Sequence, residues 1–191
     1  TGALPGAMGH DGPMPSTSPT TDPLDLVALD IERHVAAAGW DQPLRLFALV
    51  PTAELIRAEP HLAADPSVAD LAPGALSAVE QEGMPPAATV EETLAALAWP
   101  SGVIGAAVVL ERLVVPPEAE AGLPDDPAAA LRQLAEHPLR QDVRLVVAVT
   151  RDGRSCCLLR QRAHDRDDRV ARGREIAPGL LEALRATFEP D

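Results

Sequence analysis

Ten arginines fall between residues 140 and 174 (Arg140, Arg144, Arg151, Arg154, Arg160, Arg162, Arg166, Arg169, Arg172 and Arg174), against five aspartates. The whole chain carries a formal net charge of −13, so one basic segment sits inside an acidic protein. Guanidinium groups grip carboxylates and phosphates through paired N–H donors, and charge sorted along a chain can survive as charge sorted over a surface. Such a cluster has three uses. It can neutralise the protein's own acids, meet an acidic protein partner, or hold an anion (a small ligand, RNA or DNA). The net charge, the interleaved aspartates and an aromatic content of 2% count against nucleic acid.

Other reactive side chains show weaker patterns. His164-Asp165-Arg166-Asp167-Asp168 holds four groups suited to a hard metal or to acid/base work, but two arginines intrude on any calcium-loop spacing. A solvated polar loop is the expectation there. Cys156 and Cys157 are adjacent on an expected strand, so their side chains point to opposite faces. One of them reads as a small buried hydrophobe, with a reactive thiolate favoured by Arg154 and Arg160 as the alternative. The five histidines have no metal-ligand spacing, and His34 reads as packing beside an apolar helix stripe. Lysine is absent, which excludes Schiff-base, pyridoxal and Walker-type chemistry. No catalytic residue, metal site or cofactor is assigned. Gly102 and Gly105, at a strand start, read as close backbone packing rather than as a phosphate loop.

The elements that must position these groups follow from hydrophobic period and punctuation. Residues 1–21 lack any apolar period and are expected to be a disordered tail, with a single α+β domain over 22–191. Asp22-Pro23 opens a helix through Leu24, Val27, Ile31, Val35 and Ala38, which Gly39 stops. Leu44–Val50 and Val103–Val115 are apolar on both faces and read as buried strands. Two helical turns are expected over 53–59 and a short helix over Ser77–Glu82. Thr89 and Glu92 form a capping box for a helix that Pro100 ends, and Asp126-Pro127 opens another that closes near His137. Pro116–Pro124 reads as a linker. A helix from Pro178 carries Leu180, Leu181, Leu184 and Phe188.

Val143–Thr150 and Ser155–Arg162 flank Asp152-Gly153 and form a β-hairpin. A two-residue turn sets Arg160 and Arg162 opposite Leu145 and Val143. A three-residue turn sets Arg144 opposite Arg160, which repels unless a carboxylate or an anion lies between them. The first register is expected, with Arg160 and Arg162 sharing a face. The fold class is α+β: an antiparallel or mixed sheet of about four strands, with helices on one side.

The segments Ala38-Gly39-Trp40-Asp41-Gln42-Pro43-Leu44-Arg45-Leu46-Phe47-Ala48-Leu49-Val50 and Ala98-Trp99-Pro100, the latter before a strand ending Leu110-Glu111-Arg112, carry a resemblance. With His137-Pro138, Arg144, Asp152-Gly153 and Pro178-Gly179-Leu180, they resemble a family of uncharacterised proteins of high-GC actinobacteria, over most of residues 24–189. That resemblance implies no activity, cofactor or site residue.

The residues themselves point to a cytoplasmic, non-enzymatic protein-binding module: an adaptor, an assembly factor or a chaperone-like protein. An acidic protein partner is expected at Arg144, Arg160, Arg162, Arg169, Arg172 and Arg174. The alternatives are an enzyme or binding protein for a small anionic ligand held by the hairpin arginines, and RNA or DNA binding through 140–174. No apolar run reaches the ~18 residues of a membrane span.

Overall fold

The computed structural model describes residues 22–64, 74–83, 89–173 and 176–189. The expected tail over residues 1–21 lies outside them, as does Arg174. Strands β1 (Arg45–Pro51), β2 (Leu76–Glu80), β3 (Gly105–Val114), β4 (Gln141–Thr150), β5 (Ser155–Gln161) and β6 (Ala171–Gly173) form one antiparallel sheet in the order β2-β1-β3-β4-β5-β6. The two strands beyond the expected four are its edges. Residues 77–82, expected as a helix, are largely strand instead. Gly74 and Gly83, both at positive φ, bracket this stretch. So short a stretch makes a marginal helix, whereas β1 offers it a ladder to pair with.

Six α-helices complete the described chain: α1 (Pro23–Ala37), α2 (Thr52–Ala58), α3 (Val90–Ala95), α4 (Pro117–Glu120), α5 (Pro127–Ala135) and α6 (Pro178–Ala186). Their starts are chemically legible. Asp22 accepts from the Leu24 amide at 2.9 Å, Thr89 from Glu92 at 3.1 Å, and Asp126 from Ala129 at 2.9 Å. Each side-chain oxygen satisfies a backbone donor that the first turn leaves open. Among the described residues, no helix is long and apolar enough to cross a membrane.

Helices cover both faces of the sheet, not one. Helix α1 lays Leu24, Val27, Ile31 and Val35 on Phe47, Leu49, Ala107, Val109, Val146, Ala148, Cys156 and Leu158. On the opposite face, Leu94 of α3 and Leu180, Leu181 and Leu184 of α6 meet Leu46, Val108, Leu110, Val147, Val149 and Cys157. The physical reason was present in the strands. A run that is apolar at successive positions has two faces to bury, and one helical layer can dry only one of them. Both cysteines are buried, one in each layer. Burial is the main cause that raises both thiols, and Cys156 is pushed up to about 12.

The β4–β5 hairpin takes the other register. Arg144 lies opposite Arg160, and Val143 opposite Gln161. The loop is Arg151-Asp152-Gly153, with the Thr150 amide bonded to the Arg154 carbonyl and Gly153 at φ 89°. That is a three-residue turn with a left-handed glycine closing it. The two arginines are therefore neighbours on the α1 face, and what lies between them decides whether the pairing is tolerable.

Candidate functional site

Three strands run out of apolar residues on the α1 face at the same level. Ala107 and Val109 are followed by Glu111, Val146 by Arg144, and Leu158 by Arg160. The register places Glu111 beside Arg144 and Arg144 beside Arg160. Helix α1 adds Glu32, which falls on the helix's own buried stripe between Ala28 and Val35. The segment after Gly39 then folds back over the row, bringing Trp40 and Asp41. A charged cluster thus caps the end of the α1 layer.

The carboxylates resolve the arginine–arginine pairing. Arg160 grips Glu32 with two hydrogen bonds, Nε to Oε1 at 2.5 Å and Nη2 to Oε2 at 2.7 Å. It also donates to Asp165 at 3.0 Å and to Asp167 at 2.7 Å. Those bonds, Glu32's first, hold the Arg160 guanidinium above its ordinary pKa, so it stays charged although it is only 3% exposed. Arg144 donates through Nη2 to Glu111 at 2.9 Å and to the Gly39 carbonyl. Its Nε and Nη1 are buried without a hydrogen-bond partner among the described residues. The Trp40 ring lies 4.4 Å from its guanidinium carbon, a cation–π contact that offsets part of that cost.

The same segment is pinned from outside. The Trp40 indole donates to Asp165 at 2.9 Å, the chief reason this carboxyl sits below its ordinary range. Asp41 has φ 65°, its amide donates to Glu111 at 2.8 Å, and its carboxylate takes two 2.8 Å bonds from Arg162. The Arg162 bond holds the Asp41 carboxyl below its ordinary range. Five acids (Glu32, Asp41, Glu111, Asp165 and Asp167) thus surround three arginines. The cluster is a clamp that ties the end of α1 to the sheet, with no surplus positive charge to offer an anion.

The arginines singled out from sequence therefore part company. Arg144 and Arg160 come together, but inward; at 1% and 3% exposure they present nothing to a partner. Arg162 lies past the end of β5, the strand that carries Arg160. It opens a 3-10 turn (Arg162–His164) and lies exposed against Asp41. Arg169 is exposed in a second such turn, and Arg172 on β6 pairs with Asp25 at 3.3 Å. Asp165 and Asp167, expected in a solvated loop, bond Arg160. His34 is exposed rather than packed, with Arg45 Nη2 3.2 Å away. Glu32, Glu111, Trp40 and Asp41 had no role in the sequence reading; for Glu32 a signal was there. An acid on the buried stripe of an amphipathic helix was the available signal.

The Ala98-Trp99-Pro100 segment makes a comparable anchor on the other face. The Trp99 indole donates to Thr187 at 2.9 Å, and its ring stacks on Phe188 at 6.0 Å. Arg151 lies over Phe188 at 4.8 Å and donates to the Val103 carbonyl at 2.8 Å. A family model described as PPA1309-like protein matches residues 24–189, a span that holds both anchors. The chain belongs to the PPA1309-like protein family. No curated protein and no solved structure matches it. The family description names no activity, and the surface chemistry bears on function instead.

That chemistry lies between β3 and β4. The two strands pair as far as Val114 with Gln141, and the connection carries α4 and α5. No residue of α5 is buried. Leu131 is 67% exposed and Leu139 64%, with Leu113 and Val114 exposed at the strand end. Residues 113–142 hold six acids against two arginines.

Proposed function

We propose that the chain is a protein-binding module that acts by association rather than catalysis, and that its contact surface is the excursion between β3 and β4. One observation carries this reading. Of the six exposed large hydrophobic residues among the described ones, two (Leu131 and Leu139) sit on this excursion and two (Leu113 and Val114) on the end of β3 that leads into it, and helix α5 has no fully buried residue. Single exposed leucines are ordinary; several on and beside an element with no fully buried residue mark an interaction site.

The mode is a helix offered to a groove. Helix α5 would lay its leucines into an apolar trough on the partner. The acids around them, Glu118, Asp125, Asp126, Glu136 and Asp142 among them, favour a trough rimmed by arginine or lysine. The sign of the expected partner therefore reverses. The arginines that suggested an acidic partner are largely engaged with the protein's own carboxylates, and the surface left open is acidic.

A photo-crosslinking residue placed at Leu131 or Leu139 tests this in cells. One recurrent protein is expected at both positions and not at a control position at Arg33, exposed on α1. No cross-link at 131 and 139, or the same pattern from the control, would remove the excursion as the contact surface.

A further inference from the structure

We propose that the outer edge of β2, unpaired among the described strands, takes up an extended, basic segment of a partner protein as an added strand. The hydrogen-bond parity of β2 is fixed at both ends. The Thr52 amide donates to the Ala75 carbonyl at 2.9 Å, and the Gln81 amide to the Leu46 carbonyl at 2.8 Å. Odd-numbered residues of this stretch therefore bond β1, and the N–H and C=O groups of Leu76, Ala78 and Glu80 point away from it. No described strand pairs with them.

The two edges of the sheet differ in how they are guarded. Strand β6 is three residues long and carries Arg172. Strand β2 is five residues long and has neither proline nor a basic residue; its one charge, Glu80, is held by Arg45 through bonds of 2.6 and 2.5 Å. Natural edges are usually shortened, charged or covered, and an edge left flat and paired on one side is a template for another strand.

Grooves flank this edge on both faces. One of about 620 Å³ lies on the α1 side, floored by Val27, Ile31, Phe47, Leu62 and Leu76. The other, about 440 Å³, lies on the α6 side beside Val79, Gln81, Glu82 and Trp99. An added strand sends successive side chains to opposite faces, so it would fill both grooves in alternation. Charge selects the occupant. Among the described residues around this edge, Glu54, Glu59, Glu80 and Glu82 stand against Arg45 and Arg57, in a chain of net charge −13. A second copy would bring the same net negative charge to the edge, whereas a basic strand meets opposite charge.

The test is fluorescence anisotropy with a labelled peptide of alternating valine and arginine, using the full chain. Saturable binding is expected, weakened on the order of tenfold by N-methylation of the peptide amides that would bond the edge. Ala78→Pro, which removes one outward N–H at an edge position where proline is tolerated, is expected to weaken it by a similar factor with the thermal midpoint kept. Leu131→Asp/Leu139→Asp is expected to bind the peptide as the parent does, so this edge and the β3–β4 excursion stand or fall separately. Equal binding of the N-methylated peptide, or no saturation at ~100 μM peptide, would overturn the proposal. So would a concentration-dependent dimer in sedimentation that Ala78→Pro abolishes, since the edge would then belong to a second copy.

Discussion

Removing one side of the Glu32–Arg160 pair gives the most demanding test of the clamp. Both side chains are almost fully buried, at 2% and 3% exposure. Leaving one charge of such a pair uncompensated costs about 3–5 kcal/mol, whereas replacing both with apolar residues of similar volume is often neutral. Arg160 keeps Asp165 and Asp167 when Glu32 is lost, and these are 46% and 71% exposed. Glu32→Leu is therefore expected at the low end, about 3 kcal/mol. Arg160→Met strands Glu32, which has no other ion-pair partner among the described residues, and belongs near the upper end, about 5 kcal/mol. For a chain of this size, ~2–4 °C per kcal/mol converts these to midpoint losses of roughly 6–12 °C and 10–20 °C. The double variant Glu32→Leu/Arg160→Met is expected to recover most of the loss. Urea denaturation followed by circular dichroism measures all three, with an unchanged slope required for a fair comparison. The reasoning is refuted if each single change costs less than ~1 kcal/mol, as an exposed pair would, or if the double loses the sum of the singles.

Three further outcomes follow from the same geometry. A Cβ on Gly105 would lie 2.6 Å from the Val149 carbonyl oxygen, so Gly105→Ala is expected to destabilise by about 1–3 kcal/mol, while Gly102→Ala, with nothing within 4 Å, is expected to be nearly silent in the same denaturation assay. Neither cysteine is expected to react with a thiol reagent at pH 8 in the folded chain, and both should react in denaturant. Because the folded Cys156 thiol is raised from 9.0 to about 12, its contribution to stability is intact below pH 9 and is lost as pH rises beyond it. Asp41, Glu80, Asp152 and Asp165 all sit below their ordinary ranges in the fold. Their contribution is complete above the unfolded carboxyl range and disappears as pH falls through the lowered values, so a pH series of thermal midpoints should be flat from neutrality to about pH 5 and drop below about pH 4.

Local signals in the sequence reached as far as the elements themselves. Asp22-Pro23, Thr89 and Asp126-Pro127 each name a helix start through one side chain and its nearest amides, and the structure has each where expected; Asp152-Gly153 names the turn but not its length, which is three residues rather than two. What was not legible depends on contacts distant in the chain. The hairpin register is tolerable because of Glu111 and Glu32, far off in sequence, which engage Arg144 and Arg160 respectively. Without those acids, the two-residue turn looks better. Strand β2 needed β1 to exist, and no period within Leu76–Glu80 states that dependence. The two-sided helix cover, by contrast, could have been argued from Leu46–Leu49 alone, since adjacent apolar residues in a strand face opposite ways. The Gly39-Trp40-Asp41 segment carried the family resemblance before its role was visible. Its role is to close the charged row, and no spacing rule links Trp40 to Arg144.

The central claim is that the apolar excursion between β3 and β4 is the protein's contact surface. The direct measurement is the dissociation constant of the protein cross-linked at position 131, purified and titrated against the parent chain and against Leu131→Asp/Leu139→Asp. Burying two carboxylates in an apolar trough should weaken binding by at least about a hundredfold, with the thermal midpoint unchanged because neither leucine is part of the core. Equal affinity of parent and variant, with both folded, would contradict the account.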